Sequence, residues 1–145
     1  MSKSKVSAVM LNLIKIMHHE MTPKIFRKGE IIVEDGAPSD GMMYIISEGN
    51  VDVYKNYGKQ DEVCVGHLTQ GDFFGEMSLF LDKKRTATIV ARDDVSAYML
   101  SRTNMLEIIV RRPEVAFSFI EILCMRLDST NASVANIHTN EVTEE

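Results

Sequence analysis

Phe73-Phe74-Gly75-Glu76-Met77-Ser78-Leu79, followed shortly by Arg85-Thr86-Ala87-Thr88, is the stretch on which the reading of this chain turns. Gly75 supplies a turn, and the residues after it read as the start of a short helix. Such a start favours an anion, through unpaired backbone N–H groups and the helix dipole. Arg85 adds a planar fork of donors that matches two phosphate oxygens. Glu76 would repel a bare anion, yet its carboxylate can accept hydrogen bonds from sugar hydroxyls beside a phosphate, as acidic residues do for ribose elsewhere. A phosphate and a ribose read within one short segment point to a small nucleotide. The plainer alternative is a surface ion pair between Glu76 and Arg85, worth at most about 1 kcal/mol.

Outward from that stretch, residues 25–90 alternate short runs rich in Ile, Val, Tyr and Phe with glycine-bearing turns: Asp35-Gly36, Asp40-Gly41, Gly49-Asn50, Tyr57-Gly58 and Gly71-Asp72. Strands at this spacing predict an antiparallel sandwich or barrel. The polar run 55–61 reads as a hairpin tip, and 95–99 as a last strand. On the N-terminal side, Val6, Met10, Leu13 and Met17 recur at helical spacing and predict an amphipathic helix ending near Met21-Thr22-Pro23. On the C-terminal side, Ser101-Arg102-Thr103-Asn104 reads as a cap for a short helix over 105–110. Pro113 suits the first turn of another helix. There Ala116, Ile120, Leu123, Leu127, Thr130, Val134 and Ile137 form a heptad seam, the signature of a helix that pairs with another helix.

Composition fits one soluble domain: 145 residues, 45% hydrophobic, 26% charged and a net charge of −5. That charge argues against nucleic-acid binding by this chain, since phosphate backbones demand clustered Lys and Arg. Lys83-Lys84 and Arg111-Arg112 read as solvated pairs. No apolar run approaches a membrane span, and Lys15 interrupts the N-terminal one before it resembles a leader. Cys64 and Cys124 read as small core residues. They are too few for an iron–sulfur cluster, and with no disulfide framework they fit a reducing cytoplasm.

The cassette resembles the phosphate-binding segment of the cyclic-nucleotide-binding domain family, which includes catabolite-activator-type regulators, kinase regulatory subunits and nucleotide-gated channels. Phe26-Arg27-Lys28-Gly29-Glu30-Ile31-Ile32 and Met43-Tyr44-Ile45-Ile46-Ser47-Glu48-Gly49-Asn50-Val51 resemble its early strands and glycine turn. The resemblance implies a jelly-roll-like antiparallel β-roll of about eight strands, mainly β, with an N-terminal helix and C-terminal helices. It also implies cyclic AMP as regulatory ligand, with cyclic GMP the alternative. Arg85 would take the cyclic phosphate and Glu76 the ribose 2′-hydroxyl. Phe74 and the backbone of Gly75, Met77 and Ser78, with Thr86 and Ala87, would complete the cradle. Arg126 and Thr130 match positions near the base, and Asn131 a position that reaches a partner subunit's ligand. Where many members place a glycine before the arginine, this chain has Leu81-Asp82-Lys83-Lys84.

The expected organisation is a single domain: an N-terminal helix over 1–22, a β-roll over 23–100 with the cassette at 73–88, C-terminal helices over 104–138 and an acidic tail at 139–145. Family members that bind DNA carry a helix-turn-helix after the long helix. Residues 138–145 are too few for one, so the chain reads as a free-standing sensor or the sensor part of a longer protein, and as a homodimer. Two other classes compete: a dimerisation module with a degenerate, non-binding cassette, and a cupin-type metalloenzyme. The second needs several His and Glu converging on a metal. His18, His19, His67 and His138 show no such spacing in sequence, so neither metal nor catalysis is expected. His67 reads as structural, and Gly75-Glu76-Met77-Ser78 is no nucleophile elbow.

Overall fold

The computed structural model describes the backbone of residues 3–144 and the side chains of residues 8–129. Helix α1 (Lys3–Met17) and a 3-10 turn (His18–Glu20) precede β1 (Thr22–Phe26), β2 (Ile31–Val33), β3 (Met42–Glu48), β4 (Val51–Lys55), β5 (Val63–Leu68) and β6 (Phe73–Phe74). Then come α2 (Glu76–Leu81), β7 (Thr88–Ala91), β8 (Val95–Ser101), α3 (Arg102–Arg111) and α4 (Pro113–Glu144). The strands pair antiparallel into two four-stranded sheets, ordered β1-β8-β3-β6 and β2-β7-β4-β5. This is the β-roll with flanking helices that the sequence predicts.

Two apolar layers hold it. Val33, Tyr44, Ile46, Val51, Phe74, Ile89, Ala91, Val95 and Ala97 fill the space between the sheets. Met10, Leu13, Met17, Met43, Ile45, Phe73, Leu100, Met105, Ile108, Phe119 and Ile122 join the first sheet to the helices. Strand alternation sends Met43 and Ile45 into one layer and Tyr44 and Ile46 into the other. A strand covered on both faces needs no polar alternate, which is why 42–46 reads as one apolar run. The two-residue β6 does the same: Phe73 meets Phe119 edge-on at 5.2 Å, and Phe74 stacks on Tyr44 at 5.0 Å. The cassette therefore leaves the fold from a point clamped by both layers.

Several boundaries differ from the expectation. The first strand begins at Thr22, with Pro23 inside it; β1 borders only β8, and an edge strand accommodates proline. Helix α3 starts at Arg102 because the cap is Ser101 itself. Its Oγ accepts from the Asn104 N–H at 3.1 Å while Asn104 Oδ1 accepts from the Ser101 N–H at 3.3 Å. Both cysteines are exposed, not core residues: Cys64 lies on an edge strand and Cys124 on the outer side of α4.

The predicted seam also divides. The 3.6-residue period lets α4 commit one stripe to its own domain, and Val115, Phe119 and Ile122 take it, with Leu123 partly buried beside them. Ile120 and Leu127 instead face outward, 57% and 61% exposed, together with Phe117 at 65%. Leu123, expected at the seam, packs in part against the core of its own domain. The side chains of Thr130, Val134 and Ile137 lie outside the described residues.

The β3–β4 turn is the tightest in the roll. Gly49 has φ +96°, and a Cβ there would stand 2.4 Å from the Asp94 carbonyl oxygen and 3.0 Å from Val95 Cα. Next to it the Asn50 side chain and N–H donate to Asp93 at 2.9 and 2.8 Å and hold that carboxyl below its ordinary pKa. Gly49→Ala should therefore cost roughly 2 kcal/mol or more of stability. A denaturant midpoint equal to the parent's would contradict this.

Candidate functional site

The cassette begins at a backbone position that only glycine fills well. Gly75 caps α2 in the left-handed conformation, φ +82°. A Cβ there would lie 2.6 Å from Arg85 Nη1 and 3.1 Å from the Met42 carbonyl oxygen. Its absence lets the guanidinium close on the chain. At the other end of α2, Asp82 is left-handed at φ 51°, a conformation that aspartate tolerates better than most residues. It turns the chain toward Arg85 without a glycine.

Ser78 is buried and fully engaged. Its Oγ lies 2.7 Å from Ser39 Oγ and accepts from the Gly41 N–H at 3.2 Å. Its own N–H donates to the Gly75 carbonyl at 3.1 Å. Ser78 therefore fastens the 39–41 loop to α2, and its N–H is not an open donor as the sequence suggested. Glu76 and Met77 supply the first-turn N–H groups, which have no carbonyl four residues back inside the helix.

Arg85 is only 8% exposed. Its Nη2 donates to Asp40 Oδ1 at 2.5 Å and to the Met42 carbonyl at 3.0 Å, and Nη1 reaches the Gly75 carbonyl at 3.4 Å. Its backbone is bracketed as well, the N–H bonded to Ala37 O at 2.9 Å and the carbonyl to the Gly36 N–H at 2.8 Å. A buried guanidinium needs this density of acceptors. Asp40 was legible in sequence only as a turn residue; nothing in the pattern tied it to an arginine so far along the chain. The same pair acts on Tyr44, whose hydroxyl pKa is raised by burial and by Asp40, against an opposing pull from Arg85.

Glu76 and Arg85 do not pair with each other. Arg126, from α4, donates to Glu76 Oε1 at 3.2 Å and to the Phe73 carbonyl at 2.7 Å. Its guanidinium carbon sits 4.0 Å above the Phe73 ring, a cation–π contact. One arginine thus ties the long helix to the strand end and the carboxylate of the cassette.

These groups line one cleft of about 210 Å³. Glu76, Arg85, Thr86, Ala87 and Arg126 form its polar side, and Val33, Val53, Leu68 and Ile89 an apolar wall. A neighbouring cleft of about 360 Å³ shares Leu68, Phe73 and Arg126 with it and runs to Met125 and Ser129 on α4. Thr86 is exposed, and its carbonyl accepts from Lys55 Nζ, fixing the β4–β5 hairpin to the cassette. Phe74 borders the cleft, but its ring belongs to the core between the sheets. Thr130 and Asn131 have side chains outside the described residues. A fixed guanidinium, a carboxylate and an apolar wall in one cleft suit an anion that carries hydroxyl groups and a flat, weakly polar body.

Known proteins resemble this chain in sequence and in fold. Residues 23–112 match the family described as "Cyclic nucleotide-binding domain". The chain is 27% identical over 129 residues to a CRP-like cAMP-activated global transcriptional regulator of Mycobacterium tuberculosis, covering 89% of this chain and 57% of that protein. It is 38% identical over 92 residues to a cAMP-dependent protein kinase regulatory subunit of Aspergillus fumigatus, covering 59% of this chain and 21% of that one. It thus spans little more than half of one relative and about a fifth of the other. The catabolite activator protein of Thermus thermophilus has the same fold, with a TM-score of 0.74 at 24% identity over 92% of this chain and 59% of that one. No helix among the described residues is long and apolar enough to cross a membrane. With the family matched across the β-roll and the cassette, this chain belongs to the cyclic nucleotide-binding domain family.

Proposed function

We propose that the domain is a cyclic nucleotide sensor whose ligand is cyclic AMP. The observation that carries the reading is the convergence of Arg85 and Glu76 on one cleft with an apolar wall. The cyclic phosphate pairs with Arg85 and takes backbone N–H groups at Glu76 and Met77, with Thr86 and Ala87 beside it. The ribose 2′-hydroxyl donates to Glu76, and Arg126 donates to that hydroxyl's oxygen. The base lies toward α4, where Thr130 accepts from the adenine amino group. Both relatives named above carry cyclic AMP in their descriptions, which favours adenine. Guanine is the competing base: held syn, it would be read by Thr86, and one neutral hydroxyl discriminates by only about 1 kcal/mol.

Regulation, not catalysis, is the output. Arg126 already joins α4 to Glu76, so a ligand that rearranges this contact changes how the helix rests on the roll. Only a difference in affinity between the two arrangements can do regulatory work, and such couplings are typically about 1–3 kcal/mol. The outward face of α4, with Phe117, Ile120 and Leu127, receives the same face of a second copy. An effector or output domain reads the change.

Arg85→Ala should weaken cyclic AMP by roughly a hundredfold or more. It should also lower stability by about 1–3 kcal/mol, because the Met42 and Gly75 carbonyls lose their donor. Calorimetric titration and denaturant unfolding read the two effects, and binding within tenfold of the parent would remove the arginine from the phosphate site.

Glu76→Gln should weaken cyclic AMP far more than its 2′-deoxy analogue, since a hydrogen bond to a charged acceptor contributes about 1.5–3 kcal/mol. Equal losses for both ligands would make Glu76 merely an anchor for Arg126. For the assembly, sedimentation of the parent should give a dimer and Leu127→Glu a monomer, because the substitution sets like charges across a two-fold axis. A monomeric parent at micromolar concentration rules the interface out.

A further inference from the structure

On the far side of the sheet that walls the nucleotide cleft, three side chains of metal-binding chemistry meet. Asp52 (β4), Cys64 and His67 (β5) place one ligand atom each within 4.8 Å of one another. Val53 and Leu68 on these strands line the cleft, so alternation turns their neighbours Asp52 and His67 to the opposite face. Asp52 and His67 are direct cross-strand partners.

Cys64 arrives through a bulge. Residues three apart on a regular strand point to opposite faces, so Cys64 and His67 should not meet. Here Val53 pairs with Gly66 and Tyr54 with Cys64, which leaves Val65 as an extra residue. The bulge restores Cys64 to the face of His67 and sets its Sγ 4.0 Å from His67 Nδ1. Bulges re-aim side chains in just this way and are over-represented next to functional sites. In sequence Cys64 reads as core and His67 as structural, because this shift of register leaves no mark there.

We propose that Asp52, Cys64 and His67 form a binding site for a divalent transition metal of the zinc class, completed by water at an open fourth position. A carboxylate, an imidazole and a thiolate are the donors this borderline-soft ion takes, with bonds of about 2.0–2.3 Å. Tetrahedral bonds of that length put neighbouring donors roughly 3.3–3.7 Å apart. Cys64 Sγ and His67 Nδ1, at 4.0 Å, need to approach slightly, and Asp52 Oδ1 and His67 Nδ1, at 2.5 Å, need to open slightly. Arg92 holds the place of the cation: Nη2 lies 2.7 Å from Asp52 Oδ1 and 2.5 Å from His67 Nδ1. Its side chain is 49% exposed and can swing into solvent, or keep Asp52 Oδ2 through Nε, now 3.2 Å away, as an outer-shell partner. Binding releases the Cys64 thiol proton to solvent and forms the metal–sulfur bond, with no change of oxidation state. The metal would staple the edge strand β5 to β4 directly behind the cleft wall.

The test is titration of the chelator-treated protein with cobalt(II) and, separately, with zinc. Cobalt should bind one-to-one with a thiolate-to-metal charge-transfer band, and zinc should raise the thermal midpoint. Cys64→Ser should abolish the band and Cys124→Ser, at the other exposed cysteine, should leave it unchanged. His67→Asn should weaken zinc by more than the roughly tenfold to hundredfold that an outer-shell change costs. All three positions are exposed, so circular dichroism should show every variant folded. A band that survives Cys64→Ser, a band lost in Cys124→Ser, zinc affinity unchanged in His67→Asn, or no saturable binding would each overturn the site.

Discussion

Arg85 is the constraint around which the rest of the site is arranged. A guanidinium that is 8% exposed must have its donors met, and here they are met by groups from two segments distant in sequence: Asp40 and the Met42 carbonyl on one, the Gly75 carbonyl on the other. Gly75 has to lack a Cβ for this to happen, and the 39–41 loop has to lie against α2, where Ser78 holds it. The arginine therefore organises the cassette through the protein's own groups. A site already ordered loses less freedom on binding, which leaves more of the contact energy as affinity.

The second organising contact is Arg126. It lies over Phe73, donates to the carbonyl of that residue and reaches Glu76. Phe73 is also packed against Phe119 on the same helix. Helix α4 is thus tied to the cassette by an aromatic contact deep in the core and by a polar contact at the rim of the cleft. The polar contact involves Glu76, one of the two groups proposed to touch the ligand. Helix and cleft thus share the Glu76 carboxylate, which Arg126 holds.

Much of this was legible in the chain, and the failures have common causes. Periodicity gave the helices, glycine turns gave the strands, and the cassette pattern singled out Glu76 and Arg85, which the structure brings to one cleft. Cooperation between distant segments was not legible. Asp40 is separated from Arg85 by most of the roll, and only the sheet topology brings them together. A local bond was missed as well: the Ser78 N–H looked open, but it closes the first turn of α2 on the Gly75 carbonyl three residues earlier. The core contact of Leu123 was not foreseen because a heptad rule assigns one apolar stripe to a helix that has two. Cys64 was placed in the core because a bulge, invisible in sequence, turns it outward beside His67.

The central claim is that the cleft recognises a cyclic phosphate and a ribose together, with the fixed guanidinium as the phosphate anchor. Calorimetric titration of the unmodified protein with cyclic AMP and, in parallel, with adenosine tests it directly, since the two share the base and the ribose 2′-hydroxyl but only one carries the anion. The account predicts saturable one-to-one binding of cyclic AMP and no measurable heat from adenosine at the same concentrations. Equal affinity for the two, or no binding of either, would contradict it.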